Sequence, residues 1–336
     1  MDALAPPPLA VPERPPPMRA LPLALTLLAV TACELRDSAQ PTQPSAPAAP
    51  PPYTGGSLPP PPMPAPGPTV APTPTPRPAT TPSPGCAQVA PGKGLLRGLR
   101  VNVGGEARSF ELLIPGSYDN RRAYALVFLF HGSGGSPANA RAALPLETVD
   151  GDAAILAYPQ GRQGSWDLGT QASRNPDVAF FDALVADLTS RYCVDTTRIF
   201  AAGFSMGGYM ANQLACRRGP RLRAVASHGG GGPYEDQGRY DDQGNLICDG
   251  GRPSVPVLVV HGQADGEVAP SEGMNSVKHW THANRCQGGP QSWGPPPCAA
   301  TTGCAQPLVT CFVPGLGHRT WQRAAEVTWA FFGSLR

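Results

Sequence analysis

Residues 203–208, Gly-Phe-Ser-Met-Gly-Gly, contain the pattern Gly-x-Ser-x-Gly. This spacing is typical of a serine held on a sharp turn between a strand and a helix. Small residues two positions before and after Ser205 let the neighbouring backbone approach closely. The turn exposes the serine hydroxyl, and the start of the next helix points its N–H groups toward developing negative charge. Alone the motif is weak, because an ordinary glycine-rich turn has the same composition.

The residues on either side of the motif supply the context that it needs. Residues 198–202 read as a short apolar strand, and residues 209–216 have helical spacing, with Met210 and Leu214 on one side. Strand, turn and helix in this order favour Ser205 as a nucleophile.

Composition divides the 336 residues into unlike parts. Of the 44 prolines, 27 precede residue 85, and residues 34–85 are dominated by Pro, Ala, Thr and Ser. Such a segment predicts an extended, disordered linker. Residues 86–336 have mixed composition and suit one α/β domain. The net charge of +2 gives no broad electrostatic case for nucleic acid as a partner.

The N-terminal residues resemble an export signal. A short apolar run, residues 21–32, follows Arg14 and Arg19 and leads into Val-Thr-Ala-Cys at 30–33. Small residues directly before a cysteine resemble a bacterial lipobox, which implies a signal peptide over 1–33 and a lipidated Cys33. Cleavage by an ordinary signal peptidase is the alternative. Met18 is a plausible initiator in place of Met1.

Eight cysteines follow Cys33, an even number that predicts up to four disulfides in an exported chain. Spacing does not determine their connectivity. The pairing that we favour is Cys86–Cys193, Cys216–Cys248, Cys286–Cys311 and Cys298–Cys304. A zinc site is the alternative, but the chain lacks a Cys-x-x-Cys pair. We predict no cofactor and no metal.

Strands and helices alternate along the folded part, which predicts a mostly parallel sheet covered on both faces. Residues 228–254 are rich in Gly and Asp, so we expect a loop there and little or no lid. Residues 285–306 are predicted as a cysteine-rich loop. The predicted strands are 95–103, 107–114, 124–130, 153–158, 198–202, 222–226, 255–260 and 308–313, and the predicted helices are 138–146, 177–192, 209–216, 271–284 and 321–335.

A serine needs a base to remove its proton and a third group to orient that base. Asp265 lies just past one predicted buried strand, and His318 lies just past the next. Both therefore emerge at the sheet edge where Ser205 sits. The order Ser205, Asp265, His318 is the order found in α/β-hydrolases.

Other residues compete for these roles. His228 ends the strand after Ser205 and is the main rival as the base, while Glu267 is the nearest rival of Asp265. The remaining rivals are His131, His261, His279 and His282 as bases, and Asp241 and Asp242 as acids.

The oxyanion of an acyl transfer needs two donors. We predict the N–H of Met206 and a second N–H from the loop after the strand that ends near His131, at Ser133.

Motifs along nearly all of residues 86–336 resemble the secreted esterase family that includes polyhydroxybutyrate depolymerases, feruloyl esterases and acetylxylan esterases. The resemblance implies an α/β-hydrolase fold, extracellular action, no cofactor, and Ser205, His318 and Asp265 as nucleophile, base and orienting acid. The matching segments are 131–135, 158–161 with Trp166, 177–180, 192–195, 203–208, 261–265 and 317–318.

The sequence therefore predicts a serine esterase, secreted or anchored at a bacterial cell surface by lipid, and a monomer. Feruloyl or acetyl esters on plant cell-wall polysaccharide are the favoured substrates. Trp166, Trp293 and Trp321 could form an aromatic wall for them, although each suits packing equally well. The alternatives are a polyhydroxyalkanoate depolymerase, a peptidase on the same fold, and a surface lipoprotein without enzymatic activity.

Overall fold

The structure is a computed structural model, and it describes residues 80–248 and 254–335. The predicted signal peptide, the lipidation of Cys33, the choice between Met1 and Met18, and the linker up to residue 79 lie outside these residues. None of the helices in the described ranges has both the length and the apolar character of a transmembrane segment.

Ten strands, five α-helices and two short 3-10 helices, Leu146–Thr148 and Gly219–Arg221, build the described part of the chain. The strands are β1 (Gly94–Val103), β2 (Glu106–Ile114), β3 (Tyr124–Phe130), β4 (Ala154–Pro159), β5 (Val194–Phe204), β6 (Ala224–His228), β7 (Val257–Gly262), β8 (Pro290–Ser292), β9 (Cys298–Thr301) and β10 (Leu308–Val313). The helices are α1 (Pro137–Ala143), α2 (Pro176–Arg191), α3 (Met206–Arg218), α4 (Pro270–Ala283) and α5 (Ala324–Ser334).

All ten strands form one sheet in the order β1-β2-β4-β3-β5-β6-β7-β10-β9-β8. The six strands from β4 to β10 in this order run parallel, and antiparallel strands extend the sheet at both edges. This is the predicted mostly parallel sheet of the α/β-hydrolase fold.

The sheet is covered on both faces because its central strands are apolar at every position. In β3, Leu126 and Phe128 pack into one core with α2, α3 and α4, and Val127 and Leu129 pack into a second core with α1 and α5. Successive side chains of a strand point to opposite faces, so a continuous apolar run serves both cores.

The start of α2 shows how the sequence fixes an element. Asn175 caps the helix by accepting hydrogen bonds from the N–H groups of Asp177 and Val178 at 2.9 and 3.1 Å, and Pro176 follows at the first helical position. Asp177 is buried and pairs with Arg108 of β2 at 2.6 Å. Its other carboxylate oxygen accepts from the N–H of Asp167 at 2.6 Å. One side chain therefore ties a helix, a strand and a loop together.

Residues 81–85, which the composition assigns to the linker, pack against the domain. The N–H of Ser83 donates to the carbonyl of Val194 at 2.8 Å, and that of Gly85 donates to Thr189 at 2.9 Å. The Ser83 hydroxyl donates to the carbonyl of Tyr192 at 2.7 Å. The folded part of the chain thus begins before Cys86, because backbone pairing does not depend on apolar side chains.

Four disulfides form, and two of the four predicted pairs are correct: Cys86–Cys193 and Cys216–Cys248. The pairs predicted as Cys286–Cys311 and Cys298–Cys304 are wrong. The structure instead joins Cys286 to Cys304 and Cys298 to Cys311. Cys298 lies directly opposite Cys311 in the antiparallel pairing of β9 with β10, which brings these two sulfur atoms together.

That pairing also corrects the prediction of a loop over residues 285–306. The segment contains the hairpin of β8 and β9, which extends the sheet beyond β10. All three side chains of β8 are exposed, so no apolar alternation marks the strand in the sequence. The other predicted loop agrees with the structure, since residues 229–248 contain no helix.

Candidate active site

Ser205 occupies the turn between β5 and α3, with a φ of +57° and a ψ of −124°. A positive φ is uncommon for a residue with a side chain and stores strain. The neighbouring glycines are required by close backbone contacts. A Cβ at Gly203 would collide with the carbonyl of Gly207, and a Cβ at Gly207 would collide with the carbonyl of Phe130. The structure therefore explains both glycines of Gly-x-Ser-x-Gly sterically.

Ser205, His318 and Asp265 form a hydrogen-bonded chain. The Ser205 Oγ lies 2.9 Å from Nε2 of His318, and Nδ1 of the same imidazole lies 2.8 Å from Oδ2 of Asp265. Asp265 follows β7 and His318 follows β10, and these two strands are parallel neighbours. A Cβ at Gly262 would collide with the carbonyl of Leu316, so this glycine lets the two loops approach closely.

Asp265 is only 6% exposed, yet its hydrogen bonds favour the ionised form. Burial alone would raise the pKa of this carboxyl group. The hydrogen bond with His318 and those from the N–H groups of Val268 and Glu267, at 2.9 and 3.0 Å, outweigh it and hold the pKa below its usual value. A carboxylate that stays charged can orient the imidazole and stabilise its protonated form.

The imidazole of His318 is also fixed by packing. Its ring centroid lies 4.9 Å from that of Phe204, the residue before the serine. The hydrogen bond with Asp265 and the ring contact with Phe204 therefore set the position and orientation of the imidazole.

The rival acids are placed less favourably than Asp265. The side chain of Glu267 is 78% exposed and its carboxylate lies 3.9 Å from Nε2 of His318, on the side of the serine. Asp241 faces His282 at 3.0 Å, and Asp242 is exposed on the surface.

The rival bases have other partners. His228 is buried, its Nε2 lies 2.9 Å from the hydroxyl of Thr328, and burial lowers its pKa to about 3. His131 accepts a hydrogen bond from the N–H of Gly161 at 3.0 Å. Nε2 of His261 lies 3.0 Å from the carbonyl of Val268, which it can bond as a donor. These contacts support loop geometry.

The predicted oxyanion donors lie beside the serine. Met206 is the first residue of α3, where a backbone N–H has no partner within the helix. A Cβ at Gly132 would lie 3.3 Å from Cβ of Ser205, so the loop that carries Ser133 runs close to Ser205. The N–H of Gly134 donates to the carbonyl of Gly164 at 2.8 Å and anchors this loop.

A cavity of about 600 Å³ opens at Ser205. One wall is formed by α3 and α4, and the other by the loop after β6. Its lining combines aromatic, apolar and polar groups, among them Ser133, Leu168, Met206, Tyr209, Tyr234, Tyr240, Leu246, Val268, Glu272, Asn275, Lys278 and His279.

The predicted tryptophan wall is not formed. Trp166 is 3% exposed and donates its ring N–H to the carbonyl of His131 at 2.8 Å, so it supports the loop from below. Trp293 packs edge-on against Phe331, and Trp321 packs against the same core, to which α5 contributes. None of the three borders the cavity. Trp166 is large and apolar and is buried in the core, whereas Trp293 and Trp321 are half-buried against it.

Tyrosines line the cavity where we expect tryptophans from the sequence. Tyr209 lies one helical turn after Ser205, and this spacing could have placed it at the site. Tyr234 and Tyr240 come from the irregular loop after β6, where no periodicity indicates which side chains face the cavity. Glu272 on α4 was missed for a similar reason, because its approach to Tyr209 depends on how two helices pack.

Among the described residues, a group of three side chains with metal-binding atoms consists of Cys216, Cys248 and His279. The two cysteines form a disulfide, so their sulfur atoms are not thiolates. Burial lowers the pKa of His279 to about 4. This cluster is therefore a covalent tether beside a neutral imidazole.

Curated proteins similar to this chain are esterases. The chain is 31% identical over 246 residues to a probable feruloyl esterase C of Aspergillus clavatus, covering 67% of this chain and 83% of the relative. It is 31% identical over 280 residues to feruloyl esterase D of Neurospora crassa, covering 75% and 90%. It is 30% identical over 271 residues to feruloyl esterase C of Emericella nidulans, covering 74% and 90%.

Solved structures show the same fold at lower identity. An acetyl xylan esterase from Aspergillus awamori superposes with a TM-score of 0.56 at 16% identity, covering 71% of this chain and 99% of that one. A thermostable esterase superposes with a TM-score of 0.50 at 19% identity, covering 70% and 62%. No family model matches the chain. From its identity to the curated relatives and the coverage of both chains, this protein is a carboxylic-ester hydrolase and belongs to the esterase family that includes the feruloyl esterases.

Proposed function

We propose that this protein is an extracellular serine esterase that releases hydroxycinnamic acids, such as ferulic acid, from esters of plant cell-wall polysaccharide. The observation that carries the proposal is the chain Ser205–His318–Asp265 at the mouth of a cavity of about 600 Å³ with three tyrosines in its wall. The names of the curated relatives point to the same acyl group.

The geometry supports an acyl-enzyme mechanism. Nε2 of His318 takes the proton of Ser205 as Oγ attacks the ester carbonyl. The N–H groups of Met206 and Ser133 stabilise the oxyanion, and Asp265 stabilises the imidazolium. His318 then gives its proton to the leaving alkoxide, and the alcohol departs. Water attacks the acyl-enzyme in the same way, which releases the acid and restores Ser205.

The cavity favours an aromatic acyl group over acetyl. An acetyl group would leave most of about 600 Å³ unfilled. Tyr209 and Tyr234 meet edge to face, with ring centroids 6.5 Å apart, and offer aromatic surface to a flat ligand. A hydroxycinnamoyl group fits such a surface because it is planar and rigid.

Four disulfides support action outside the cell, since disulfides persist in oxidising compartments. The lipid anchor at Cys33 lies outside the described residues and stays a prediction from the sequence.

The test is hydrolysis by the full chain, produced under disulfide-forming conditions, of methyl ferulate, acetylated xylan, 3-hydroxybutyrate oligomers and p-nitrophenyl acetate. We expect methyl ferulate to be cleaved with the highest kcat/KM of the natural esters, and Ser205→Ala to abolish all activity while remaining folded. Faster cleavage of acetylated xylan or of the oligomers would contradict the proposed acyl group. Activity that survives in Ser205→Ala would contradict the mechanism.

A further inference from the structure

Glu272 of α4 places a carboxylate in the wall of the cavity that opens at Ser205. This carboxylate lies outside the chain Ser205–His318–Asp265, and the hydrolysis described above does not use it. Its Oε2 accepts a hydrogen bond from the hydroxyl of Tyr209 at 3.1 Å. Its Oε1 accepts a longer one from the amide of Asn275 at 3.5 Å.

The contact between Tyr209 and Glu272 is possible only because residue 231 is a glycine. A Cβ at Gly231 would lie 2.7 Å from Oε2 of Glu272 and would collide with the ring of Tyr209. The amide of Asn212 donates to the carbonyl of Gly231 at 2.7 Å and holds this backbone in place. Any larger residue at position 231 would displace the carboxylate, so its position is defined by the fold.

Glu272 keeps unused acceptor capacity. A carboxylate is acceptor-only and offers about four lone pairs, while the two contacts above use one on each oxygen. Burial and the neighbouring charge of Glu272 raise the pKa of the Tyr209 hydroxyl, so Tyr209 stays a donor to the carboxylate. The remaining lone pairs are available to a hydrogen-bond donor on a ligand.

The surroundings restrict which donor fits. The rings of Tyr209 and Tyr234 form aromatic surface beside the carboxylate. A flat aromatic group that carries a hydroxyl at its far end satisfies both features at once. A sugar hydroxyl on the alcohol side of the ester offers the same donor, and the experiment below separates the two sources.

We propose that Glu272 accepts a hydrogen bond from the phenolic hydroxyl of the acyl group and so determines which cinnamoyl esters are cleaved. This inference rests on the proposed function. A hydrogen bond to a carboxylate is among the stronger ones. An acyl group without the hydroxyl, or with it methylated, leaves the carboxylate desolvated without a new donor, and such a site discriminates strongly against it.

The experiment measures kcat/KM of the full chain for methyl ferulate, methyl 3,4-dimethoxycinnamate and methyl cinnamate. Methyl esters keep the alcohol constant, so only the acyl group varies. We expect methyl ferulate to be preferred over the dimethoxy ester by about tenfold or more. The preference should fall in Glu272→Gln and approach one in Glu272→Leu. Each preference is a ratio measured on one preparation, so a partly unfolded variant does not distort it.

Glu326→Gln is the matched control, because it removes the same negative charge from α5, where Glu326 forms an exposed ion pair with Arg323. It should keep the wild-type ratio. An equal shift in Glu326→Gln would overturn the proposal, since overall charge would then explain it. A wild-type ratio near one, or a ratio that Glu272→Leu does not change, would overturn the inference about Glu272. Hydrolysis of methyl ferulate in the same experiment would still support the proposed function.

Feruloylated arabinoxylan oligosaccharide separates the acyl group from the sugar. If Glu272→Leu loses activity on this substrate far more than on methyl ferulate, the carboxylate binds the sugar and the proposal is overturned. If the wild-type protein cleaves none of the feruloyl esters, the proposed function and this inference fall together.

Discussion

Ser205 keeps its strained backbone because several neighbours hold it there. A non-glycine residue with a positive φ costs about 1–3 kcal/mol. Ser205 recovers part of this through its own N–H, which donates to the carbonyl of His228 at 2.8 Å. The two flanking glycines admit the neighbouring carbonyls. The end of β6 thus fixes the turn that carries Ser205, because the backbone carbonyl of His228 bonds to it.

Asp265→Asn tests the proposed role of Asp265 in orienting His318. The amide would remove the negative charge next to Nδ1 of His318 and favour the wrong tautomer. We expect kcat for methyl ferulate to fall by about 10⁴-fold with little change in KM. Glu267→Gln is the comparison, because Glu267 is exposed and should matter little. A larger loss in Glu267→Gln than in Asp265→Asn would reverse the assignment of the acid.

His228 predicts a pH dependence of stability. Burial lowers its folded pKa to about 3, from an unfolded value near 6.5. Between these values the unfolded chain binds a proton that the native protein does not, so the free energy of unfolding falls as the pH falls. The expected slope is about 1.4 kcal/mol per pH unit for this group.

Urea unfolding of wild type and His228→Gln between pH 3.5 and 7.5 measures this slope. The variant should be less stable at neutral pH, because it perturbs the contact with Thr328, but its stability should depend less on pH over this window. Parallel curves for the two proteins would contradict the prediction.

The residues of the hydrogen-bonded chain could be predicted because chemistry and position coincide in the sequence. Asp265 and His318 each follow an apolar strand, and adjacent parallel strands deliver both to one sheet edge. The substrate wall could not be predicted in this way. Tyr234 comes from a loop without periodicity. Trp166 is a candidate for the wall because its side chain is large and apolar, and the same properties explain why it is buried.

At the scale of elements, α3 contacts both the turn of Ser205 and the loop after β6. Its first turn follows Ser205, and its last turns hold the loop that walls the cavity. The Gln213 amide donates to the carbonyl of Tyr234, Arg217 pairs with the buried Glu235, and Cys216 is bonded to Cys248. Ser205 and the cavity wall are therefore positioned by one helix.

The disulfide Cys216–Cys248 should affect substrate choice as well as stability. The double variant Cys216→Ser/Cys248→Ser should lose about 3 kcal/mol of unfolding free energy, because the bond closes a loop over a separation of 32 residues. We expect kcat/KM for methyl ferulate to fall further than that for p-nitrophenyl acetate, since the small acetyl group does not need the wall.

Cys286→Ser/Cys304→Ser is the comparison. It removes a disulfide of separation 18 that does not border the catalytic cavity. This variant should lose stability while keeping the ratio of the two substrates. Equal changes of that ratio in both double variants would argue against a role of Cys216–Cys248 in the wall.

Apolar patterning located the strands of the sheet centre and failed at its far edge. β3 and β10 match their predicted bounds, because both are buried runs with turn residues at their ends. β8 and β9 exist because the exposed edge of β10 offers backbone partners and Cys311 offers a sulfur. Pairing of this kind depends on the partner strand and leaves no periodic signal in the segment itself.

At the scale of the molecule, the folded part extends further toward the N-terminus than composition indicates. Pro82 forms a bridge with Asp195, and the N–H of Thr81 donates to the carboxylate of Asp195 at 3.1 Å. Together with the bonds of Ser83 and Gly85, these contacts lie along the chain that leads into β5. A high proline content indicates that helices and inner strands are absent, but it does not locate the boundary between a linker and a folded domain.

Two shortened proteins test this boundary. A chain that begins at Thr80 should match the full chain in Tm. A chain that begins at Cys86 should lose about 3 kcal/mol of unfolding free energy, because seven hydrogen bonds between residues 81–85 and residues 189–196 disappear, each contributing about 0.5 kcal/mol. Thermal unfolding followed by circular dichroism measures the difference. Identical melting curves for the two proteins would show that residues 80–85 do not contribute to stability.

The disulfide Cys86–Cys193 determines how the domain bears mechanical load. Cys193 directly precedes β5, and its carbonyl accepts a hydrogen bond from the N–H of Tyr124 at the start of β3 at 3.0 Å. A tensile force applied through the N-terminal segment therefore reaches the two central strands through a covalent bond and bypasses the edge hairpin of β1 and β2. A domain held at its N-terminal side would therefore take up the load at the start of β5, whereas Ser205 lies at the other end of that strand.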